Sequence, residues 1–205
     1  MKKNKRAILF IVFAFLILIS FYFDVKLSEY ASLLRNDFLD KFFLVITYLS
    51  SEILIFFILT ALFLWRENKR RWIIPLWSCL GISAIVSFLL KFTIQRLRPF
   101  QLGIVSLLPR LQEASFAVWN YSFPSFQSMF AFCAIPILAK QFPRLKKFWI
   151  IFAVLIAFSR VYFGLHFFSD VILGALIGYI IGLIIVRLEN EEKFSERIIN
   201  KIFRR

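Results

Sequence analysis

A chain of 205 residues that is 60% hydrophobic, with 28 phenylalanines and a mean hydropathy of +0.78, lies outside the roughly half-apolar composition of soluble domains. It reads as an all-α integral membrane protein, a single membrane-embedded domain over residues 1–205, with room for one bundle of spans of about 20 residues each. A net charge of +14 would suit nucleic acid in a soluble protein. Here Lys and Arg cluster beside the apolar runs, where they set topology and meet anionic head groups, so membrane lipids and no nucleic acid are the expected partners.

Six transmembrane helices are expected. Lys2, Lys3, Lys5 and Arg6 precede the first, residues 7–23, and put the N-terminus in the cytoplasm. The stretch imitates a signal peptide, but no small-residue cleavage site follows, so a retained span is expected. Over residues 24–41, Leu27, Tyr30, Ala31, Leu34 and Phe38 recur at helical spacing among polar residues, which predicts an amphipathic helix on the membrane surface. The second span, 42–65, stops at the basic turn from Arg66 to Arg71, with Trp65 and Trp72 as interfacial anchors. The third, 72–90, tolerates Pro75 and Gly81 because neighbouring helices satisfy freed backbone groups. It delivers Lys91 to the outer side.

Residues 92–125 form the longest non-apolar stretch, and loops of that length are commonly functional. The fourth span, 126–138, is short. Lys140, Arg144, Lys146 and Lys147 return the chain to the cytoplasm before the fifth, 148–159, and the sixth covers 166–186. Gly174, Gly178 and Gly182 recur every four residues on that last span and allow a neighbouring helix to approach closely. Packing within the bundle is the first reading of this stripe, and a homodimer contact is the alternative. The charged tail ends inside, so both termini are cytoplasmic and the site faces outward from the plasma (inner) membrane. Cys79 and Cys133 lie within apolar runs without metal-ligand spacing and read as buried thiols.

The topology gathers three polar clusters on one membrane face: Lys91 to Pro99, Tyr121 to Gln127, and Ser159 to Asp170. Ionisable residues at membrane depth are costly to place and point to function. His166 is the one histidine of the chain, and Asp170 follows it by four residues, sharing its face if the segment is helical. The carboxylate could then accept from one ring nitrogen and leave the other to attack phosphorus. Lys91, Arg98 and Arg160 supply cations, two of them guanidinium forks that match phosphate oxygens.

These residues resemble the type 2 phosphatidic acid phosphatase superfamily, in its six-span lipid phosphatase branch. Lys91, six residues, then Arg98-Pro99 match the first motif of that family. Ser159-Arg160, five residues, His166, three residues, then Asp170 match the third. The resemblance implies that His166 is a nucleophile forming a phosphohistidine and that Asp170 orients it. It implies that Lys91, Arg98 and Arg160 hold the phosphoryl oxygens with the Ser125 hydroxyl and the Phe126 backbone N–H, and that no cofactor or metal takes part.

The second motif departs from the family. Where Pro-Ser-Gly-His is expected, the chain reads Pro124-Ser125-Phe126-Gln127. Gln127 stands where the family has its general-acid histidine and has no proton to release. A lipid alkoxide leaves poorly without protonation, whereas a phosphate leaving from a diphosphate needs far less help, so a polyprenyl diphosphate is the favoured substrate. Glu113 or Tyr121 could stand in as the acid. A phosphotransferase on the same scaffold and a lipid-phosphate binding or transport protein are the alternatives.

Overall fold

The computed structural model describes residues 2–108, 111 and 121–197, and all regular structure among them is helical. Among the described residues seven α-helices follow in order: α1 (Lys2–Leu33), α2 (Asp37–Leu49), α3 (Glu52–Trp65), α4 (Ile73–Ile94), α5 (Phe126–Gln141), α6 (Lys146–Tyr162) and α7 (Phe168–Glu192). Short 3-10 turns, Glu67–Trp72 and Pro143–Leu145, join α3 to α4 and α5 to α6.

Two expectations need correction here. Residues 24–41 do not form a surface helix of their own. Asp24 and Ser28 are buried, and the Asp24 carboxylate accepts from the Ser169 backbone N–H at 2.9 Å and from Arg96 at 2.7 Å. Those bonds hold this part of α1 against the bundle, so the helix runs on to Leu33. It stops because Asn36 caps the next helix, its side-chain oxygen accepting from Leu39 N at 3.0 Å, with Asp37 and Asp40 in the first turn.

The expected second span is likewise broken. α2 and α3 meet at 64°, and two serines make the corner: Ser50 closes α2, and Ser51 caps α3 by accepting from Leu54 N at 3.3 Å. Among the described residues, two helices, residues 67–94 and Phe168–Glu192, are long and apolar enough to cross a membrane, and a third if the bent pair is one span. The described residues thus support two or three spans where six were expected. α5 and α6 have 16 and 17 residues, about 24–26 Å at 1.5 Å per residue, short of a hydrocarbon core of about 30 Å.

The glycine stripe is consumed within the chain. A Cβ on Gly178 would lie 2.2 Å from Met129 O, and one on Gly182 would lie 2.2 Å from Cys133 O. That face of α7 is therefore filled by α5 and is not available to a second copy. Around this pair, Ile55, Leu59 and Phe63 of α3, Leu76 and Cys79 of α4, Met129 and Cys133 of α5 and Trp149 of α6 form the main core. Cys79 and Cys133 are buried free thiols, as expected, with Cys79 Sγ bonding Cys133 O at 3.3 Å.

Candidate active site

His166 lies between α6 and α7, two residues before α7 begins. It is therefore not on a helix with Asp170. The loop instead turns at Gly164, whose φ of +67° suits glycine. The amides of Leu165 and His166 then both donate to Arg160 O, at 3.0 and 3.2 Å. One helix end thus sets the positions of both Arg160 and His166.

The imidazole is buried, and its Nδ1 lies 2.5 Å from Ser122 O. A carbonyl only accepts, so Nδ1 carries the proton and Nε2 keeps its lone pair. Burial holds the imidazole well below its ordinary range of protonation, and the positive charges of Arg98, Lys91 and Arg160 push the same way. A neutral, tautomerically defined imidazole in this setting can act as a nucleophile.

The expected direct bond from His166 to Asp170 is absent. The Asp170 carboxylate accepts from Arg96 at 2.6 Å, from Phe167 N at 2.9 Å and from the Ser122 hydroxyl. It caps α7 as the third residue of that helix, so its oxygens face the helix start. Its link to the imidazole passes through Ser122, whose hydroxyl meets Asp170 and whose carbonyl meets His166. Arg96 belongs to this support: it pairs with Asp24 as well as Asp170 and bonds Ser169 Oγ at 2.8 Å. Neither Asp24, Ser122 nor the role of Arg96 was legible from motif spacing, because each acts from a different segment of the chain.

The expected phosphate ligands converge. Arg98 donates to Leu165 O at 2.9 Å and lies 3.4 Å from His166 Nε2. Burial lowers the Arg98 guanidinium to about 10, with Asp170 opposing the shift, and it remains charged at neutral pH. Lys91 donates to Tyr121 O at 2.5 Å. Arg160 is buried. Its Nη2 donates to Ser50 Oγ at 2.8 Å, and among the described residues its Nε has no partner. A buried guanidinium N–H without an acceptor costs free energy unless a ligand oxygen meets it, which fits an anion site.

Ser125 is buried at the start of α5, its N donating to Asp170 O at 3.1 Å and its Oγ accepting from Ser128. α7 can approach so closely because residue 174 is glycine: a Cβ there would lie 2.6 Å from Ser125 O. Lys91, Arg98, Phe126, Gln127 and His166 line one cavity of about 580 Å³, with Ala84, Ile85, Phe88 and Leu89 as an apolar wall.

The same cavity contains a residue that motif reading passed over. Glu52, at the start of α3, lines it and accepts from Gln127 Nε2 at 2.8 Å. Its only sequence signal was a carboxylate inside an apolar run, which a continuous second span obscured. Of the two substitute acids expected, Glu113 lies outside the described residues. Tyr121 reaches Lys91 through its backbone carbonyl.

The family model described as the PAP2 superfamily matches residues 72–194. The chain belongs to that superfamily. It is 31% identical over 185 residues to a phosphatidylglycerophosphatase B of Bacillus subtilis, covering 83% of this chain and 85% of that protein. It is 30% identical over 142 residues to an undecaprenyl-diphosphatase of Sulfolobus acidocaldarius, covering 64% of this chain and 62% of that one. The crystal structure of Aquifex aeolicus LpxE superposes with a TM-score of 0.67 at 30% identity, over 80% of this chain and 94% of that one. The crystal structure of a transmembrane PAP2 type phosphatidylglycerolphosphate phosphatase from Bacillus subtilis gives 0.68 at 23% identity, over 88% and 94%, and bears on the fold alone. The chain is thus a membrane lipid phosphatase of the PAP2 type, a hydrolase of phosphate esters.

Proposed function

We propose that the chain dephosphorylates a lipid diphosphate of the polyprenyl class, such as undecaprenyl diphosphate, through a phosphohistidine on His166, on the outer face of the inner membrane. The observation that carries this reading is the imidazole itself: Nδ1 is committed to Ser122 O, and Nε2 lies 3.4 Å from the Arg98 guanidinium in a cavity also lined by Lys91. Nε2 attacks the terminal phosphorus while Lys91, Arg98 and Arg160 neutralise charge developing on its oxygens, which is where most catalytic stabilisation of phosphoryl transfer arises. Ser125 Oγ and the Phe126 N–H complete the cradle, and no metal is required in this scheme. Asp170 holds Ser122, and through it the imidazole. The apolar wall from Ala84 to Leu89 accommodates the lipid chain next to the reacting phosphate.

Choice of a diphosphate rests on Gln127. General acid catalysis is worth about 10²- to 10⁴-fold, and its loss weighs most on an alkoxide leaving group. The names of the two curated relatives span both substrate kinds, a phosphatidylglycerophosphatase and an undecaprenyl-diphosphatase. The test is phosphate release from a panel of both kinds by this chain and by Gln127→His. Faster release from the diphosphate by the natural chain is expected, with a gain in the variant confined to monoesters. Faster release from phosphatidic acid than from an isoprenoid diphosphate by the natural chain would overturn the assignment.

A further inference from the structure

Among the described residues, Glu52 is the one carboxylate lining the cavity that holds His166. Asp170 and Asp24, the nearby acids, are fully buried and spent on Arg96, Ser122, Ser169 and the start of α7. Glu52 is only half-buried. One of its oxygens accepts from Gln127, and among the described residues nothing bonds the other. Its position is imposed from two sides. Ser51 caps α3 immediately before it, and Ser50, just before that, accepts from the buried Arg160. The sharp corner between α2 and α3 therefore sets a carboxylate beside the phosphate-binding cations.

Hydrolysis through a phosphohistidine needs a second step in which water attacks the phosphorus, and that water must lose a proton. A carboxylate in the same cavity as His166, with one oxygen held by Gln127, is placed to accept that proton. Building on the phosphohistidine reading above, we propose that Glu52 is the general base of this second step and that Gln127 orients it. The water oxygen bonds to phosphorus as the P–Nε2 bond breaks, and the electron pair of that bond returns to Nε2. The water proton passes to the Glu52 carboxylate. Because Nδ1 keeps its proton on Ser122 O throughout, the imidazole leaves neutral and needs no acid. Glu52 then releases its proton to solvent as inorganic phosphate departs.

Gln127 acquires a positive role in this scheme. It holds one Glu52 oxygen through Nε2–H and leaves the other for water. The arrangement pairs with a leaving group that needs no protonation: the first step then needs no acid, and the second has a base.

The experiment is rapid quench of the full chain in mixed micelles with undecaprenyl diphosphate labelled in its terminal phosphate, comparing the natural chain with Glu52→Gln, Glu52→Asp and Gln127→Ala. Glu52→Gln should retain a first-turnover burst near one lipid monophosphate per enzyme, which also shows that it is folded. Its steady-state turnover should fall about 10²-fold or more, while acid-labile label accumulates on His166. Glu52→Asp should recover part of the turnover, and Gln127→Ala should slow the same step about tenfold with the burst intact. Natural steady-state turnover in Glu52→Gln overturns the inference, as does loss of the burst together with turnover. Label absent from His166 in every variant, with turnover maintained, overturns the phosphohistidine reading and this inference with it.

Discussion

The two sides of the cavity are bonded to very different degrees. On the His166 side, Ser122 and Asp170 are buried, and Asp170 accepts from Arg96, Ser122 and Phe167 N while Asp24 braces Arg96 and Ser169 from α1. On the facing side the side-chain bond from Gln127 to Glu52 links two half-buried residues. The dense side fixes one imidazole in one tautomer. In the proposed reaction the sparse side leaves polar groups for molecules that come and go, substrate and water. Rigid support behind the attacking atom and adjustable polarity around the exchanging groups is the division that two-step hydrolysis asks for.

Breaking the dense side at its centre should have the largest effect. His166→Ala removes the attacking atom, so phosphate release should drop by about 10⁴-fold or more, with anion binding to Lys91, Arg98 and Arg160 preserved in a titration with inorganic phosphate. Asp170→Asn comes next. It swaps an acceptor for a donor facing Arg96 and removes half of a buried ion pair, a change that typically costs about 3–5 kcal/mol. We expect turnover lower by about 10²- to 10³-fold and a clearly reduced unfolding temperature in detergent. A variant with natural stability and activity would show that the capping and bracing roles of Asp170 are dispensable.

A third variant sharpens the comparison at the contact between α5 and α7. Gly174→Ala sets a Cβ 2.6 Å from Ser125 O, so the start of α5 must move, and with it Ser125, Phe126 and Gln127. Displacements of about 1 Å at a reacting centre cost about 10²-fold, and turnover should fall to that extent. Gly81→Ala is the control: a Cβ there meets nothing within 4 Å, and its turnover should equal that of the natural chain.

The grouping of much of the proposed phosphate-binding set was legible because motif spacing is local. Lys91 to Arg98 and Ser159 to Asp170 are each continuous stretches, and the chain brings both to one cavity or its immediate border. The supporting partners were not legible, since Asp24, Ser122 and the Ser50–Glu52 corner reach the site from outside the two matched motifs and carry no spacing signal. Asp24 read as the start of a polar surface stretch, and only the bundle contact with Ser169 reveals it as a buried brace. Helical periodicity in turn misjudged His166 and Asp170. A four-residue interval puts two side chains on one face only if a helix connects them, and α7 starts at Phe168. The bend at Ser50 and Ser51 escaped for a related reason: hydropathy is continuous from residue 42 to 65, whereas the break depends on two caps and on Arg160.

The smallest effect expected is a shift in a pH profile, and it tests the dense side without removing any of it. In the proposed reaction His166 attacks only as the neutral imidazole, and kcat/KM covers the steps up to phosphoryl transfer, so its acid limb reports the free enzyme's imidazole. Burial lowers the protonation of His166 well below 6.5, with Arg98, Lys91 and Arg160 adding to the shift and the bond to Ser122 O opposing it. An unperturbed imidazole would lose about tenfold in kcat/KM between pH 7.5 and 5.5. Here kcat/KM should stay nearly flat over that interval and fall only in more acidic solution. Linkage has the same sign: the unfolded chain takes up this proton near 6.5 and the folded one does not. Stability should therefore decline by up to about 1.4 kcal/mol per pH unit below 6.5, until the folded imidazole also protonates. Arg98→Gln lowers kcat/KM overall, but its informative readout is the limb, which should move up toward 6.5 as one of those three charges is lost. A limb already at 6.5 in the natural chain would mean a solvated imidazole, and the tight packing inferred around the nucleophile would be wrong.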